Sequence, residues 1–385
     1  MGQFPVVVSF WRHFVVYFLW YTNRQSLQVE GVTMEQRTAY WRVDPTRPDP
    51  GIMARAGLIL RRGGLVAFPT ETVYGLGANA LDGLAVARIF EVKGRPQDNP
   101  LIVHVADRET ACRLVRRVPA GAGKLMDAFW PGPLTLVLPA APVVPRQVTA
   151  GLDSVGIRMP DHPVALALIA VAGVPVAAPS ANLSGRPSPT TAGHVLQDLN
   201  GRIEVILDAG PAGVGLESTV LDLTGDVPVI LRPGGITREE LEKVIGEVRV
   251  DPGVDGRPGG EFRPRSPGMK YRHYAPRAPL VLVEGEPERV AARLKELAGI
   301  YRSRGLRVGV LATAETAGEY NGNRVVVAGP RQDPAAIASR LFAALRQLDE
   351  LGVDVILAEG IEPRGLGLAV MNRLRRAAGN RIERV

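Results

Sequence analysis

A stretch in the first third of the chain contains two short apolar, strand-like runs that each end in polar loops. The first run, residues 65–68, leads into Pro69-Thr70-Glu71-Thr72-Val73-Tyr74-Gly75-Leu76-Gly77. About one helix later come Lys93-Gly94-Arg95-Pro96 and Asn99-Pro100-Leu101, and the second run ends at His104. Ligands bind at strand ends in α/β sheets, and packing alone gives no reason to gather these polar groups there. The stretch therefore predicts an α/β fold whose glycine-loosened loops form a site for a polar anion.

The composition is that of a soluble globular protein. The chain has 385 residues, of which 46% are hydrophobic and 22% charged, and its length suits two or three domains. The formal net charge of +7 favours anionic ligands such as nucleotide phosphates or RNA, although a basic surface without a partner accounts for it equally well. Cys112 is the single cysteine, which excludes an intramolecular disulfide framework and a multi-cysteine zinc site. A reducing cytoplasm fits these features.

The N-terminal residues 4–20 are apolar and aromatic, but Arg12 and His13 interrupt them. The run is shorter than the ~20 residues that a membrane-spanning helix needs, and it lacks the flanking features of a signal peptide. Met34 precedes a polar run that is typical of the start of a soluble protein. We therefore expect residues 1–33 to be a non-native or disordered extension from a misassigned start codon, with a membrane anchor as the alternative.

Residues 45–246 alternate short apolar runs with helical periodicity, which predicts an α/β catalytic domain. Some connections between the runs are too short for parallel crossovers, so we expect a twisted mixed sheet. Strands are predicted at 65–68, 101–105, 134–138, 155–159, 175–178, 204–207, 218–223 and 228–231. Helices are predicted at 52–62, 82–92, 107–117, 121–129, 162–172 and 191–199.

Residues 247–279 are rich in Gly, Pro, Asp and Arg and show no apolar period, which predicts a linker. Its last part, residues 266–276, carries more functional side chains than a spacer needs, and we expect it to act as a lid. From residue 280 to 385, apolar runs alternate with helical stretches. The runs are 280–283, 307–311, 324–327 and 354–357, and the helical stretches are 287–303, 334–350 and 366–378. This alternation predicts a small Rossmann-like domain with a parallel sheet.

Several familiar catalytic motifs are absent from the sequence. The chain has no G-x-x-x-x-G-K-[ST] phosphate loop, no H-E-x-x-H zinc motif and no G-x-S-x-G elbow, so a nucleotide would be held by separate basic and hydroxyl groups. Lys93 and Arg95 form a pair of cations suited to a polyphosphate, although a helix C-terminus also attracts such residues. Arg158 lies in an apolar strand, where an unpaired cation is costly, so its partner is either a structural Glu or a substrate carboxylate.

Three later strand ends repeat this pattern of small polar or cationic residues. They are Ala178-Pro179-Ser180-Ala181-Asn182, Glu217-Ser218-Thr219 and Leu231-Arg232-Pro233. Such segments let backbone N–H groups and hydroxyls approach an anion, although an ordinary turn explains each of them individually. Together they indicate that a single domain gathers an anion-binding site at its strand ends.

The combined motifs resemble the YrdC-like threonylcarbamoyl-AMP synthases in their long form. Their order and spacing agree across residues 50–240, and the linker with the trailing domain extends the resemblance to residue 385. The resemblance implies a YrdC-like twisted mixed sheet with helices, followed by a linker and a small Rossmann-like parallel α/β domain. It further implies a nucleotidyltransferase that converts L-threonine, bicarbonate or CO2, and ATP into threonylcarbamoyl-adenylate and pyrophosphate, for tRNA modification in the cytoplasm.

The resemblance assigns site residues in two groups. For L-threonine they are Thr72, His104, Arg158, the backbone at Ala178, and Ser218. For ATP they are Lys93, Arg95, Asn99, Ser154, Ser180, Ser188, Arg232 and Tyr274, of which Ser154 and Ser188 are placed more by offset than by a distinctive motif. The expected catalytic residues are Lys93, Arg95 and His104. We expect Lys93, Arg95 and Arg232 to hold the triphosphate, Arg158 to pair with the threonine carboxylate, and His104 to orient the amino acid.

Mg²⁺ is expected to arrive with ATP and to keep most of its waters, so no side chain is assigned as a metal ligand. Glu71 and Glu217 are the nearest acidic groups. The expected partners are the three substrates and a downstream complex that transfers the product to tRNA, with weak RNA binding as a further expectation and no membrane. One alternative is a non-catalytic RNA-binding protein. The other, a carbamoyltransferase of the hydrogenase-maturation type, conflicts with the single cysteine.

Overall fold

The computed structural model describes residues 37–255, 265–267 and 273–385 of the chain. These residues form an eleven-stranded mixed sheet and a five-stranded parallel sheet. The predicted extension, 1–33, lies outside the described residues, as do parts of the linker. Within the described ranges, no helix is both long enough and apolar enough to cross a membrane.

The eleven-stranded sheet is mixed, as predicted. Its strands are β1 (Ala39–Arg42), β2 (Val66–Phe68), β3 (Gly75–Asn79), β4 (Ile102–His104), β5 (Leu134–Pro139), β6 (Ser154–Arg158), β7 (Val176–Ala177), β8 (Val205–Asp208), β9 (Thr219–Asp222), β10 (Val229–Arg232) and β11 (Arg249–Val250). Their order is β1-β8-β2-β3-β7-β4-β6-β5-β9-β10-β11. The sheet combines parallel pairs such as β4–β6 with antiparallel pairs such as β5–β6.

Helices cover both faces of this sheet. They are α1 (Pro50–Arg61), α2 (Gly83–Lys93), α3 (Arg108–Arg113), α4 (Ala120–Phe129), α5 (Arg146–Thr149), α6 (Pro163–Ala172), α7 (Ala192–Leu199) and α8 (Arg238–Ile245). On β2, Val66 and Phe68 pack into the core beneath α1 and α6, whereas Ala67 faces the opposite core. A strand that is buried on both faces needs a continuous apolar run, which is the pattern that predicted it.

The prediction of a glycine-loosened loop through Gly75 and Gly77 is wrong, because these residues lie in β3. A Cβ atom on Gly77 would lie 2.8 Å from both the Phe68 ring and the Val176 side chain. The glycine therefore serves close packing between strands and gives the backbone no special freedom. The predicted helix 107–117 is also shorter and ends at Arg113.

The second sheet is fully parallel, which confirms the prediction of a Rossmann-like domain. Its elements are β12 (Leu280–Glu284), α9 (Pro287–Ser303), β13 (Val308–Thr313), β14 (Arg324–Gly329), α10 (Pro334–Glu350), β15 (Val355–Glu359), α11 (Leu366–Ala378) and β16 (Ile382–Arg384). The strand order is β14-β13-β15-β12-β16. On β12, Leu280 and Leu282 share a core with α10 and α11, whereas Val281 and Val283 share the other core with α9.

The two sheets are joined through a common apolar cluster and buried ion pairs. Val73 and Leu216, from loops of the first sheet, belong to the same cluster as Phe342 of α10. Arg346, also in α10, donates from Nη2 to Asp198 Oδ2 at 2.8 Å. The second domain is therefore packed directly against the loops that leave the first sheet.

Candidate active site

A cleft lies where several strands of the eleven-stranded sheet end, and its empty space, including the part open to solvent, is about 730 Å³. His104 is the last residue of β4 and Arg158 is the last residue of its parallel neighbour β6, and the two are paired in register. Arg232 is the last residue of β10, and Ser218 directly precedes β9. Because these strand ends meet at one place, the cleft collects side chains from distant parts of the sequence.

All predicted site residues except Asn99 and Ser154 line the cleft. The lining ones are Thr72, Lys93, Arg95, His104, Arg158, Ala178, Ser180, Ser188, Ser218, Arg232 and Tyr274. Asn99 is buried next to Arg95, and neither polar atom of its side chain has a hydrogen-bond partner within the described residues. Ser154 lies at the opposite end of β6 from Arg158. The roles of Asn99 and Ser154 stay predictions.

Arg158 has a structural partner, which was one of the two alternatives for this buried cation. Its Nη2 lies 2.5 Å from Glu71 Oε1 in an ion pair, and its side chain is only 4% exposed. Nη1 donates to Thr72 Oγ1 at 2.9 Å, and Nε donates to the Gly132 carbonyl oxygen at 3.2 Å. A guanidinium has five N–H donors, so these contacts leave donors for a second carboxylate in the cleft.

His104 is a buried, neutral imidazole beside Arg158. Burial, together with the nearby Arg158 charge, lowers the pKa of His104 to about 3. Its Nδ1 atom has no hydrogen-bond partner within the described ranges, and its ring meets Phe68 edge to face. A neutral ring with one free nitrogen suits a ligand that it orients by hydrogen bonding.

Lys93 organises the loop of small residues that follows β7. It ends α2, where Gly94 turns the chain at a φ of +59°. Its Nζ donates to the Ser180 carbonyl oxygen at 2.6 Å and to the Asn182 carbonyl oxygen. Burial first, and then the charge of Arg95, hold the pKa of Lys93 well below its usual range. An anion in the cleft would therefore stabilise the charged form of this lysine.

Arg95 and Arg232 supply two further cations. Burial lowers the pKa of Arg95 to about 10, so its guanidinium stays protonated at neutral pH, and its Nε has no hydrogen-bond partner among the residues described. Arg232 donates from Nε and Nη2 to the Ser218 carbonyl oxygen at 3.1 and 3.0 Å. The Ser218 hydroxyl lies 2.8 Å from Thr135 Oγ1. These contacts fix a cation and a hydroxyl at the same wall of the cleft.

Glu217 links the cleft to the second domain. Its Oε1 accepts a hydrogen bond from Ser188 Oγ at 2.5 Å, and its Oε2 accepts from Arg373 Nε at 2.8 Å. Burial raises the pKa of Glu217, but the charges of Arg373 and Arg232 outweigh burial and hold this pKa below its usual range. Sequence reasoning missed Arg373, which lies on α11 of the second domain. The available signal was an arginine on the apolar face of the helix predicted at 366–378.

The end of the linker returns to the cleft, and its role as a lid stays a prediction. His273 and Tyr274 both line it, and the Ala275 amide donates to the Gly185 carbonyl oxygen at 2.8 Å. Tyr274 adopts a φ of +62°, in the left-handed region that disfavours a bulky side chain. Its ring stacks on Phe342 with centroids 5.2 Å apart. The remaining lid residues 268–272 lie outside the described ranges.

The lining of the cleft is dominated by positive charge. Lys93, Arg95, Arg158 and Arg232 all line it, and Glu217 is held by Arg373. Within the described ranges, no group of three or more His, Cys, Asp or Glu side chains is placed to hold a metal ion. The cleft can therefore bind a large anion at several points while its hydroxyls and neutral imidazole contact polar groups.

Two family models match this chain. The Sua5/YciO/YrdC family, described as "Telomere recombination", matches residues 58–234. The family described as "Threonylcarbamoyl-AMP synthase, C-terminal domain" matches residues 236–379. The first match covers β2 to β10 of the eleven-stranded sheet, and the second covers α8, β11 and the second domain up to the end of α11.

Similar proteins extend over nearly the same range. The chain is 55% identical over 334 residues to threonylcarbamoyl-AMP synthase of Pyrococcus abyssi (strain GE5 / Orsay), which covers 87% of this chain and 96% of that protein. It is 54% identical over 353 residues to threonylcarbamoyl-AMP synthase of Bacillus subtilis (strain 168), which covers 90% of this chain and all of that protein. The crystal structure of P. abyssi Sua5 complexed with L-threonine has a TM-score of 0.86 at 52% identity, and the match covers 90% of this chain.

Proposed function

We propose that the cleft of this chain, which belongs to the threonylcarbamoyl-AMP synthase family, makes threonylcarbamoyl-AMP. The substrates are L-threonine, bicarbonate or CO2, and ATP. The observation that carries this proposal is the convergence of four cations from three separate segments on one cleft: Lys93 and Arg95, Arg158, and Arg232. The reaction needs no covalent enzyme intermediate. Positioning of the reactants and stabilisation of phosphate charge are enough to accelerate it.

The threonine half of the site is built around Arg158. Its remaining N–H donors bind the threonine carboxylate, while Glu71 and Thr72 keep the guanidinium in place. His104, which is neutral, orients the amino acid through its free nitrogen, and Ser218 and the Ala178 backbone complete the pocket. The neutral threonine amine then forms a bond to the carbon of CO2 and loses a proton to become a carbamate. With bicarbonate, a C–O bond breaks in the same step and water leaves.

The nucleotide half lies on the side of Lys93, Arg95 and Arg232. These three cations hold the triphosphate, and Ser180, Ser188 and Tyr274 contact the nucleotide. The carbamate oxygen attacks the α-phosphorus, the bond to the β-phosphate oxygen breaks, and pyrophosphate leaves with its charge balanced by the cations. Asn99, whose buried amide is unpaired within the described part of the chain, is available for a further ATP contact.

Mg²⁺ reaches the site with ATP as part of the substrate. Glu71 and Glu217 each face an arginine partner, so neither is a free metal ligand. A metal that is bound mainly by phosphate oxygens and water needs no dedicated carboxylate cage. The Mg²⁺ ion would thus neutralise phosphate charge without a resident site in the protein.

The product is a reactive mixed anhydride that must pass to a second enzyme. We place the protein in the cytoplasm, beside a complex that transfers the threonylcarbamoyl group to tRNA. The net charge of +7 supports weak RNA binding as an accessory property. The alternative of a non-catalytic RNA-binding protein is not favoured, because a buried cleft of this kind does not offer a surface for a polynucleotide.

The test is to incubate the purified chain with L-threonine, bicarbonate and Mg-ATP. Mass spectrometry should detect threonylcarbamoyl-AMP, and a coupled assay should detect one pyrophosphate for each adenylate formed. Reactions without threonine, or without bicarbonate, are the controls. Pyrophosphate release at the same rate without threonine would count against the proposal. Binding of RNA by the purified chain without formation of any adenylate would also count against it.

A further inference from the structure

A buried arginine of the second domain contacts the nucleotide half of the cleft through Glu217. Arg373 lies on α11 and is fully buried. Its Nε donates to Glu217 Oε2 at 2.8 Å, although the two residues are 156 positions apart in the sequence. Its Nη1 donates to the Pro233 carbonyl oxygen at 2.9 Å, in the residue that directly follows Arg232.

The group that Arg373 holds is part of the cleft. Glu217 lines the cleft and accepts a hydrogen bond from Ser188, which lines it as well. The guanidinium carbon of Arg373 also lies 5.3 Å from the centre of the Tyr274 ring. A single side chain thus contacts a carboxylate, the turn after β10 and the lid, all on the side assigned to ATP.

The charge of Glu217 explains why such a contact matters. A carboxylate without a counter-ion in this cleft would repel a triphosphate at short range. Arg373 compensates that charge from outside the cleft, so Arg95 and Arg232 keep their own charge for the ligand. The same contact fixes the Glu217 carboxylate so that it accepts from Ser188 and holds that hydroxyl in one orientation.

A second interdomain arginine is arranged differently. Arg346 of α10 donates to Asp198 and to the Pro187 carbonyl oxygen. Neither Arg346 nor Asp198 lines the cleft. Domain attachment is therefore already provided elsewhere, and the Arg373 contact has a separate place in the site.

We propose that Arg373 is a positioning residue for ATP, acting through Glu217, Ser188 and Tyr274, and that the second domain is thereby part of the nucleotide site. This inference rests on the proposed function, because it takes the side of Lys93, Arg95 and Arg232 as the triphosphate side. It assigns no contact with threonine to the second domain.

The test compares full-length variants R373M, E217Q and the double variant E217Q/R373M. R373M should raise the KM for ATP roughly tenfold or more, because truncating one partner of a buried pair leaves the other charge uncompensated. Threonine affinity, measured by calorimetry without ATP, should stay within about twofold of the wild-type value, since Arg158 is untouched. The double variant should have a lower KM for ATP than R373M, because the uncompensated carboxylate is gone.

R375M is the matched control. Arg375 lies on the same helix, is also buried, and pairs with Glu284 at 2.7 Å inside the second domain. It should lower the melting temperature without raising the KM for ATP. R373K, which keeps the charge beside Glu217 but loses the planar fork, should lie between the wild type and R373M.

Two results would overturn the inference. One is an equal weakening of ATP and threonine binding in R373M, which indicates a general structural role. The other is that the effects of E217Q and R373M on the KM for ATP, expressed as free energies, add in the double variant. Additive effects would mean that the two residues act independently. If the wild-type chain releases no threonine-dependent pyrophosphate, it is the proposed function that is wrong. Calorimetric titration of the wild type and R373M with ATP then still tests whether Arg373 supports nucleotide binding.

Discussion

Arg158 Nη2 and Glu71 Oε1 lie 2.5 Å apart at the place where the threonine carboxylate is proposed to bind. The ion pair gives a buried guanidinium a counter-ion before any substrate arrives. It also fixes the orientation of the donors that remain. An arginine held on one side by the protein can bind an incoming carboxylate without first losing the rotamer freedom of a long side chain.

Replacing Arg158 with Ala should raise the KM for threonine far more than the KM for ATP. We expect roughly a 30-fold increase or more for threonine, since removing one partner of a buried charge pair costs ~2–5 kcal/mol. The measurement is steady-state pyrophosphate release with each substrate varied in turn. The double variant R158A/E71Q, which removes the stranded carboxylate, should restore stability but not threonine binding. Equal changes in both KM values would refute the carboxylate assignment.

Replacing Lys93 with Met should slow pyrophosphate release by about two orders of magnitude. A loss of this size is typical when a preorganised hydrogen-bond donor that stabilises developing charge is removed. The variant also loses the bonds that Lys93 makes to the Ser180 and Asn182 carbonyl oxygens, so the KM for ATP should rise. K124M is the control, because Lys124 is exposed on α4. Turnover of K93M at the wild-type rate would remove Lys93 from the mechanism.

Replacing His104 with Asn should leave the shape of the pH–rate profile unchanged. Because burial lowers the pKa of His104 to about 3, its ring is neutral between pH 5 and 8. The rate should fall by less than the roughly 100-fold that marks the loss of a general base. The measurement is kcat/KM for threonine from pH 5 to 9. A limb near neutral pH that disappears in H104N would show proton transfer by His104 and contradict the orienting role.

The buried imidazoles should make the fold acid-labile. Burial lowers the pKa of both His104 and His273 to about 3, whereas an exposed histidine titrates near 6.5. Below pH ~6.5 the unfolded chain therefore binds more protons than the native protein, and stability falls as the pH decreases towards 3. Each group contributes up to about 1.4 kcal/mol per pH unit within that window.

Urea unfolding at several pH values checks this expectation. Between pH ~4.5 and 6.5 the carboxylates contribute little, so the slope of stability against pH reports mainly on the histidines. H273N should reduce that slope relative to the wild type, and the two curves should run parallel above pH ~7. Parallel curves over the whole range would mean that the pKa of His273 is not lowered in the native protein.

The second domain could be predicted from its sequence almost residue by residue. The predicted helices at 287–303, 334–350 and 366–378 agree with the observed α9, α10 and α11. Pro287 and Pro334 each stand at the first position of a helix, where their fixed φ and missing N–H suit the geometry. Local signals were strong in this domain because its central strands β12, β13 and β15 are apolar runs buried in a parallel sheet, whereas the edge strand β16 was not predicted.

The strands that were missed have weak local signals. β3 contains Gly75 and Gly77, and its strand conformation depends on pairing with β2 and β7. β1, β11 and β16 are short strands at sheet edges, where partly exposed residues blur the apolar pattern. The short helix α5 was likewise not predicted. α8 was also missed, although its sequence carries a local signal: Thr237 and Glu240 form a capping box at its start.

The cleft was predictable to the extent that its residues lie at strand ends of one domain. The convergence of Lys93, Arg95, Arg158 and Arg232 is found as expected. The partner of Arg158 was left open, because sequence spacing does not show whether Glu71 turns towards β6. The position of Arg373 on the apolar face of α11 indicates that it is buried, but nothing local to the helix indicates that its partner is Glu217 of the other domain.

The pairing of Glu217 with Arg373 also has a consequence during translation. Glu217 and Arg373 are 156 residues apart in the sequence. During synthesis, all strands of the eleven-stranded sheet therefore leave the ribosome before α11 does. Until then, the carboxylate of Glu217 faces the cleft without its counter-ion. An incompletely synthesised protein would thus bind the nucleotide weakly, and it would consume little ATP until the second domain has folded against the first.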